Sequence, residues 1–444
     1  MKLKRICPIC DCNEGEKLYE LKLAKDDREK VLEKSLIVAC NNCGFVFESN
    51  NYTQKDYDEH YKSIKTFFVN TSGGTGGESE YDLKRYDFQI DKILKFINDK
   101  SIDILDIGCA KGGLLRRFKY HGYNNVYGID TSEDCVKFLN ENNIYAETAS
   151  IFDIYKFDKK FNKKFDVITM SHVLEHIWDL KSVIEIFKTY LKKDGILYVE
   201  VPDMTNYINY LHKPFYYFNF EHINHFTTNT LTALFNDFEC LDKGSAYFYM
   251  QKNKKYPLLY SVLKNSEKDN INVSYNFNKD IMGINKIKEY IKKSKEIEDK
   301  FCLELEPDST PTFLYGFSLY GRRLLMEERI FKNINLVGIL DRNPTFKGFN
   351  IKIYNGKKIP VYTIENDRFD LFENYKFVNV LISSPMHEYE IRDYLLSNKN
   401  FVGKILIAEQ SRAEQSRAEQ SRAEQSRAEQ SRAVMFEYAY RKTA

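Results

Sequence analysis

The sequence predicts a multidomain α/β protein: a doubly wound, Rossmann-like sheet flanked by a small N-terminal cysteine module and a second C-terminal α/β domain. From about residue 80, apolar strand-like segments alternate with amphipathic helical ones; two C-x-x-C pairs stand at the front; a strand, glycine turn and helix recur near residue 310. A chain of 444 residues has room for two or three such units. Lys plus Arg number 66 against 64 for Asp plus Glu, so no global field attracts nucleic acid or anionic lipid. The start, "MKLKRICPIC", lacks the apolar segment of a secretory signal, and no apolar run approaches the roughly 20 residues of a membrane span. A cytoplasmic protein with a small-molecule partner, and without nucleic-acid or membrane partners, is expected.

Residues 1–72 hold the cysteine module and a connector. "CPIC" supplies Cys7 and Cys10, and "CNNCG" supplies Cys40 and Cys43. In a reducing compartment such cysteines are ligands or small buried hydrophobes rather than disulfide partners. Two knuckles complete the tetrahedral four-thiolate shell that Zn2+ prefers, and four protein ligands leave no open position, so the ion is expected to be structural. Cys12 is a fifth thiol able to replace Cys10 in that shell.

"GGTGG" (73–77) punctuates the chain before the central unit, 80–252. There "YDLKRYDFQIDKILKFI" reads as a helix. "IDILDIGCAKGGLLRRF" reads as a strand, a glycine turn and an amphipathic helix. "NVYGID", "FDVITMS" and "GILYVEVP" are further strands, separated by "EDCVKFLNEN" and "DLKSVIEIFKTYL". Such alternation makes a parallel sheet covered on both faces, with ligands at the carboxyl ends of its strands. The first turn is Asp106-x-Gly108-x-x-x-Gly112, with Ala110 where a dinucleotide fingerprint would carry a glycine. Asp130 closes the second strand 22 residues after Gly108, where an acid can accept hydrogen bonds from ribose hydroxyls.

In this order and spacing, "LDIGCAKGG", "GIDTS", "FDVITMSHVLEHIWD" and "LKKDGILYVEVPD" resemble class I S-adenosylmethionine-dependent methyltransferases over about residues 80–252, a final strand pair in "ECLDKGSAYFYMQKN" included. The resemblance implies that Gly108, Cys109 and Gly112 form the turn beside the cofactor's methionyl part. Asp106 would hold either that loop or the cofactor amine, and Asp130 the ribose. Asp153 is either the acid near the adenine amino group or a solvated turn residue. Ser171 and His172 would end the fourth strand near the methyl group; after Glu175, His176 either lines the site or caps a helix.

Methyl transfer from a sulfonium is an in-line displacement with an activated leaving group. The protein supplies alignment, a dry pocket and, for a poorly ionised acceptor, a base. "NFEHINHF" (219–226) follows the fifth strand and brings Glu221, His222 and His225 to the same edge. His222 reads either as that base or as part of an "EH-x-N-x-F-(S/T)" turn satisfying backbone groups before the next helix, and His225 reads as the structural member. A metal held by Glu221, His222 and His225 is the weaker option, since no acidic cluster joins them.

A cysteine module, a methyltransferase unit and a second nucleotide-fold-like unit together resemble nucleotide-sugar C-methyltransferases acting on 4-keto deoxysugars. That likeness implies a nucleotide-linked sugar substrate, or a surface-polysaccharide precursor, with Glu221 and His222 in the catalytic run. Where those enzymes carry Tyr, this chain has Asn219, which leaves O-methylation open beside C-methylation. Residues 253–309 read as a helical connector and 310–408 as the C-terminal Rossmann-like unit. Its Gly316-x-Ser318-x-x-Gly321 turn and Asp341 resemble a dinucleotide fingerprint, but Ser318 obstructs pyrophosphate approach. This favours substrate holding over the alternative of an NAD-dependent oxidoreductase or epimerase. A non-catalytic interaction protein is the third reading. The AEQSR-repeat tail, 409–444, makes no apolar stripe and is expected to be dispensable for chemistry.

Overall fold

The structure is a computed structural model that describes the chain except residues 28–33, 64–75, 156–163, 252–253, 267–277, 365–369, 385–386, 399–400 and 408–444. The AEQSR tail and the first three residues of "GGTGG", Gly73, Gly74 and Thr75, thus lie outside the described residues.

Strands β1 (Gly15–Lys22), β2 (Lys34–Cys40) and β3 (Val46–Glu48) form an antiparallel meander. The knuckles that flank it end in left-handed residues, Asp11 (φ 58°) and Gly44 (φ 78°). Gly44 is required at its place: a Cβ there would lie 2.7 Å from the backbone nitrogen of Asp280. After α1 (Gln54–Ser63), α2 (Glu80–Leu94) begins with a capping box in which Ser79 and Asp82 satisfy each other's backbone N–H.

The central unit then alternates as β4 (Ile104–Ile107), α3 (Gly113–Tyr120), β5 (Val126–Asp130), α4 (Glu133–Glu141), β6 (Tyr145–Thr148), β7 (Phe165–Ser171), α5 (Leu180–Tyr190) and β8 (Leu191–Pro202). Next come β9 (Asn224–His225), α6 (Thr228–Leu234), β10 (Glu239–Gln251) and β11 (Lys254–Lys264). The seven-stranded order is β10-β11-β8-β7-β4-β5-β6. Strands β4 to β8 are mutually parallel and β11 is antiparallel to both neighbours. Because β5 lies on one side of β4 and β7 on the other, the connections diverge at β4 and leave a crevice at its carboxyl end.

The terminal strand pair differs from the sequence expectation. "ECLDKGSAYFYMQ" is one strand, and its partner β11 comes from residues assigned above to the helical connector. The run "PLLYSVL" in β11 is buried on both faces, whereas β10 is the solvent-facing edge, so burial selects the second strand. Thr227 is the N-cap of α6, in a capping box with Thr230.

Helix α7 (Ile281–Glu304) packs Ile284, Ile287, Tyr290 and Ile291 against the tyrosine-rich loop that follows β8. The third sheet contains β12 (Asp308–Tyr315), β13 (Ile334–Asp341), β14 (Asn350–Lys352), β15 (Lys358–Thr363), β16 (Asn379–Ile382) and β17 (Ile405–Ile407). Its order is β14-β15-β13-β12-β16-β17, parallel except at β14–β15. A buried ion pair, Lys213–Glu388 at 2.5 Å, ties it to the central unit. Among the described residues no helix is long and apolar enough to cross a membrane.

Strand β9 belongs to neither large sheet. Asn224 and His225 pair with Phe47 and Val46, adding a fourth strand to the cysteine module. The histidine stretch is therefore built jointly by the central unit and the module.

Candidate active site

The turn after β4 and the tip of β5 lie side by side. Gly108 N and Cys109 N donate to Ile129 O at 2.8 and 3.1 Å. Asp130 accepts from Ala110 N through Oδ2 and from Ser132 N through Oδ1, both at 2.8 Å. The turn needs left-handed backbone at Gly108 (φ 74°), Ala110 (φ 44°) and Gly112 (φ 73°). A Cβ on Gly108 would come within 2.4 Å of Val173 Cγ2, a stiff β-branched neighbour, so that glycine is needed sterically as well; one on Gly112 would displace the flexible end of Leu139. Cys109 is buried, with its sulfur against Gly128, and its backbone N–H and C=O are taken by Ile129 O and Gly112 N.

Asp106 is buried and accepts from Thr169 Oγ1 at 2.7 Å. Burial, with the nearby charge of Asp130, pushes its carboxyl up to about 7. Burial also raises Asp130, partly offset by the backbone donors that hold it. Asp153 ends a short 3-10 turn at Ile151–Asp153, where Ser150 Oγ donates to it at 3.3 Å. Gly76 and Gly77, expected above only as punctuation, pack on this crevice. A Cβ on Gly76 would lie 2.5 Å from Lys111 N, and Gly77 O accepts from Tyr86 Oη at 3.0 Å.

Ser171 is drawn into a charge network rather than presented freely. Its hydroxyl accepts from Arg85 Nη2 (2.6 Å) and Gln89 Nε2 (3.0 Å) and donates to Glu200 Oε1 (3.0 Å). Glu200, fully buried, also accepts from Arg85 (2.7 Å) and Tyr198 Oη (2.8 Å). Burial raises its carboxyl, but Arg85 and His172 outweigh this and hold it well below the usual range. The sequence reading missed Arg85, Gln89 and Glu200. The available signal was a lone acid in an otherwise apolar strand, "GILYVEVP", since a buried carboxylate needs a partner.

The next turn gathers the histidines. His172 has a left-handed backbone (φ 54°) and sits between two buried acids, Nδ1 3.2 Å from Glu175 and Nε2 3.3 Å from Glu200. Burial and Arg85 depress its basicity, yet the facing carboxylates carry the net shift upward. Glu175 and His176 form a 3-10 turn at Leu174–His176, and the His176 ring meets that of His222 edge to face at 4.9 Å. His222 is placed by Asn219, whose Oδ1 accepts from Glu221 N (3.0 Å) and His222 N (2.8 Å). Burial and the nearby His176 lower His222 to about 3, while burial raises Glu221. His225 is fully buried beside Tyr207 Oη, at 3.2 Å, which supports a packing role.

The module clamps both halves of this cluster. Asn224 Nδ2 donates to Leu174 O (3.2 Å) and Ile177 O (2.7 Å), and Ile223 N to Glu175 O (2.9 Å). Glu48 N reaches Ile223 O at 2.9 Å, and the buried Arg5 donates to the carbonyls of Ile177 and Trp178. Because Val173 touches Gly108, the glycine turn and the histidine turn share a wall.

In the module, Cys7 Sγ lies 3.5 Å from Cys43 Sγ and Cys10 Sγ 3.5 Å from Cys40 Sγ, all four within 4.8 Å of one another. Thiolates about 2.3 Å from a tetrahedral zinc stand about 3.8 Å apart, so the residues fit that ion. Cys12 is outside the cluster, donating to Glu14 O at 3.4 Å. In the third sheet, Asp341 accepts from Phe317 N (2.6 Å) and Asn343 N (2.7 Å), the same two-ended pattern as Asp130.

A family model described as a methyltransferase domain matches residues 81–240. The ubiquinone biosynthesis O-methyltransferase of Glaesserella parasuis is 29% identical over 168 residues, covering 35% of this chain and 67% of that protein. The enzyme of the same name from Pelagibacter ubique is 34% identical over 110 residues, 24% of this chain and 44% of its own length. The chain thus spans from under half to about two thirds of these relatives. Among solved structures, an S-adenosylmethionine-dependent methyltransferase from Anabaena variabilis aligns at 18% identity and a TM-score of 0.38, over 48% of this chain and 95% of the other.

Proposed function

We propose that the class I S-adenosylmethionine-dependent methyltransferase domain carried by this chain methylates an oxygen or carbon of a small-molecule sugar, with the histidine turn handling the acceptor's proton. The observation that carries this reading is the shared wall: the turn of Gly108 and Gly112 with Asp130 on one side, and Glu175, His176 and His222 on the other. When bound, the cofactor supplies a methyl group on a positively charged sulfur. Asp130 would receive the ribose hydroxyls, Asp106 would attract the cofactor's amine, and Asp153 would lie toward the adenine. Ser171 acts through the Arg85–Glu200 network that fixes the end of β7.

His222 is the candidate base. Burial and His176 hold its basicity down to about 3, so the base role depends on the nearby charge of Glu175 to stabilise the imidazolium as it forms. Glu221 flanks it. The relatives' O-methyltransferase names support an oxygen acceptor; the sugar, nucleotide-linked, rests on the three-part architecture and on the third sheet, whose Asp341 turn supports a substrate-holding role. The test is incubation with labelled S-adenosylmethionine and a panel of nucleotide sugars, with NAD titrated in parallel. Label entering none of the sugars, together with stabilisation by NAD, would favour the oxidoreductase reading.

We also propose that Cys7, Cys10, Cys40 and Cys43 hold a structural Zn2+ that keeps Arg5 and β3 against the histidine turn. Cys40→Ser is expected to lower turnover at least tenfold while S-adenosylhomocysteine affinity stays within about threefold, because the glycine turn belongs to the other sheet. Parallel assays of initial rate and calorimetric affinity check it.

Asp106 sets a pH dependence. Its carboxyl, near 7 in the free protein, must ionise to attract a cationic amine, so affinity rises with pH through neutrality and falls below it. S-adenosylhomocysteine is expected to bind about tenfold more weakly at pH 6 than at pH 8, and Asp106→Asn to flatten the profile. Calorimetry across that range reads the effect.

A further inference from the structure

We propose that Glu175, His176 and His222 form a second metal site, for a divalent transition-metal ion with coordination positions left open toward the acceptor; with the metal bound, His222 is a ligand and the acceptor's proton is lost through metal activation instead of to His222. One ligand atom from each lies within 4.8 Å of the other two, although His222 is 46 residues from His176 in sequence. Bonds of about 2.0–2.2 Å place ligands roughly 3–4 Å apart, so closure needs side-chain shifts of no more than about 1 Å.

Glu175 is the independent pointer. It is fully buried, and neither carboxylate oxygen has a hydrogen-bond partner. It faces His172 Nδ1 at 3.2 Å and His176 Nε2 at 3.8 Å. Against its burial, the neighbouring imidazoles hold its carboxyl down to about 2, so it stays ionised, and a metal cation would complete the coordination of its two oxygens. His222 Nδ1 is likewise buried without a hydrogen-bond partner. Both turns are held from behind, by Ile223 N on Glu175 O and by Asn224 on Leu174 O, so the ligands' backbones are already positioned.

Two imidazoles and one carboxylate suit zinc, cobalt, nickel or manganese better than calcium or magnesium. Three protein ligands are also the pattern of open sites, in contrast to the closed four-thiolate shell of the module. The ligand class for the open positions is an oxygen donor, a hydroxyl or carbonyl of the acceptor. In sequence, a metal at this loop could be weighed only for Glu221, His222 and His225; folding supplies Glu175 and His176 instead.

This assignment rests on the methyltransferase reading of the crevice, and the experiment keeps the two separable. Full-length protein with all cysteines intact is dialysed against cobalt(II), the bound metal counted, and the absorption spectrum recorded. Wild type should retain one more cobalt per chain than Glu175→Gln and His222→Ala, with nitrogen/oxygen-type bands beyond the thiolate charge-transfer bands. Equal counts in wild type and folded variants overturn the site. Should both variants misfold, His176→Gln and the wild-type spectrum decide: a spectrum of thiolate bands alone overturns it. Calorimetry with S-adenosylhomocysteine on the same samples tests the underlying reading: binding without a cobalt difference refutes only the metal, whereas a cobalt difference without binding supports the metal and removes the methyltransferase reading.

Discussion

Asp130→Ala is expected to weaken S-adenosylhomocysteine binding by at least about 100-fold in calorimetry. Two losses combine. The ribose would forfeit hydrogen bonds to a charged acceptor, each worth about 1.5–3 kcal/mol. The turn would also lose its brace, because the same carboxylate accepts from Ala110 N and Ser132 N. Ala110 already holds a left-handed backbone (φ 44°), so an unbraced turn can relax away from the ligand. Asp130→Asn should fall between, since an amide can accept through only one of its two ends. Affinity within threefold of wild type in both variants would remove Asp130 from the cofactor site and, with it, the proposed crevice.

The second large effect is expected at His222. Replacement by Gln should lower the turnover number by about 10²–10⁴-fold, the usual worth of a positioned proton-transfer group, while S-adenosylhomocysteine affinity stays unchanged. Gln preserves volume and a polar end, and the backbone there is held independently by Asn219 Oδ1 and by the β9–β3 pairing. The Asp130 brace lies across the shared wall and is not touched. Single-turnover rates and calorimetric affinity, measured on one preparation, separate the outcomes; parallel losses in both would indicate that the turn itself has collapsed. His225→Gln provides the contrast. That imidazole is fully buried against Tyr207, so the expected loss is in melting temperature.

Much of this architecture was readable along the chain. The cysteine knuckles, the glycine turn and Asp130 are short-range patterns, in which the chemistry is carried by residues a few positions apart or at matching strand ends. The alternation of apolar and amphipathic segments likewise predicts the parallel sheet, because period and length are local properties. The limit shows at β11. "KKYPLLYSVLK" reads as part of a connector because a short apolar run does not declare which sheet will cover it.

Sequence by itself determined the elements and the residue types of the glycine turn and the cysteine knuckles, since backbone conformation depends on neighbours in the chain. Only tertiary structure decided which distant residues meet. Arg85 finds Glu200 across 115 positions, Arg5 caps carbonyls 172 and 173 residues away, and Asn224 and His225 leave the central sheet to pair with Val46 and Phe47. The physical reason is burial: a charge or an unpaired peptide group removed from water must find a partner, and packing rather than sequence separation determines which one is within reach.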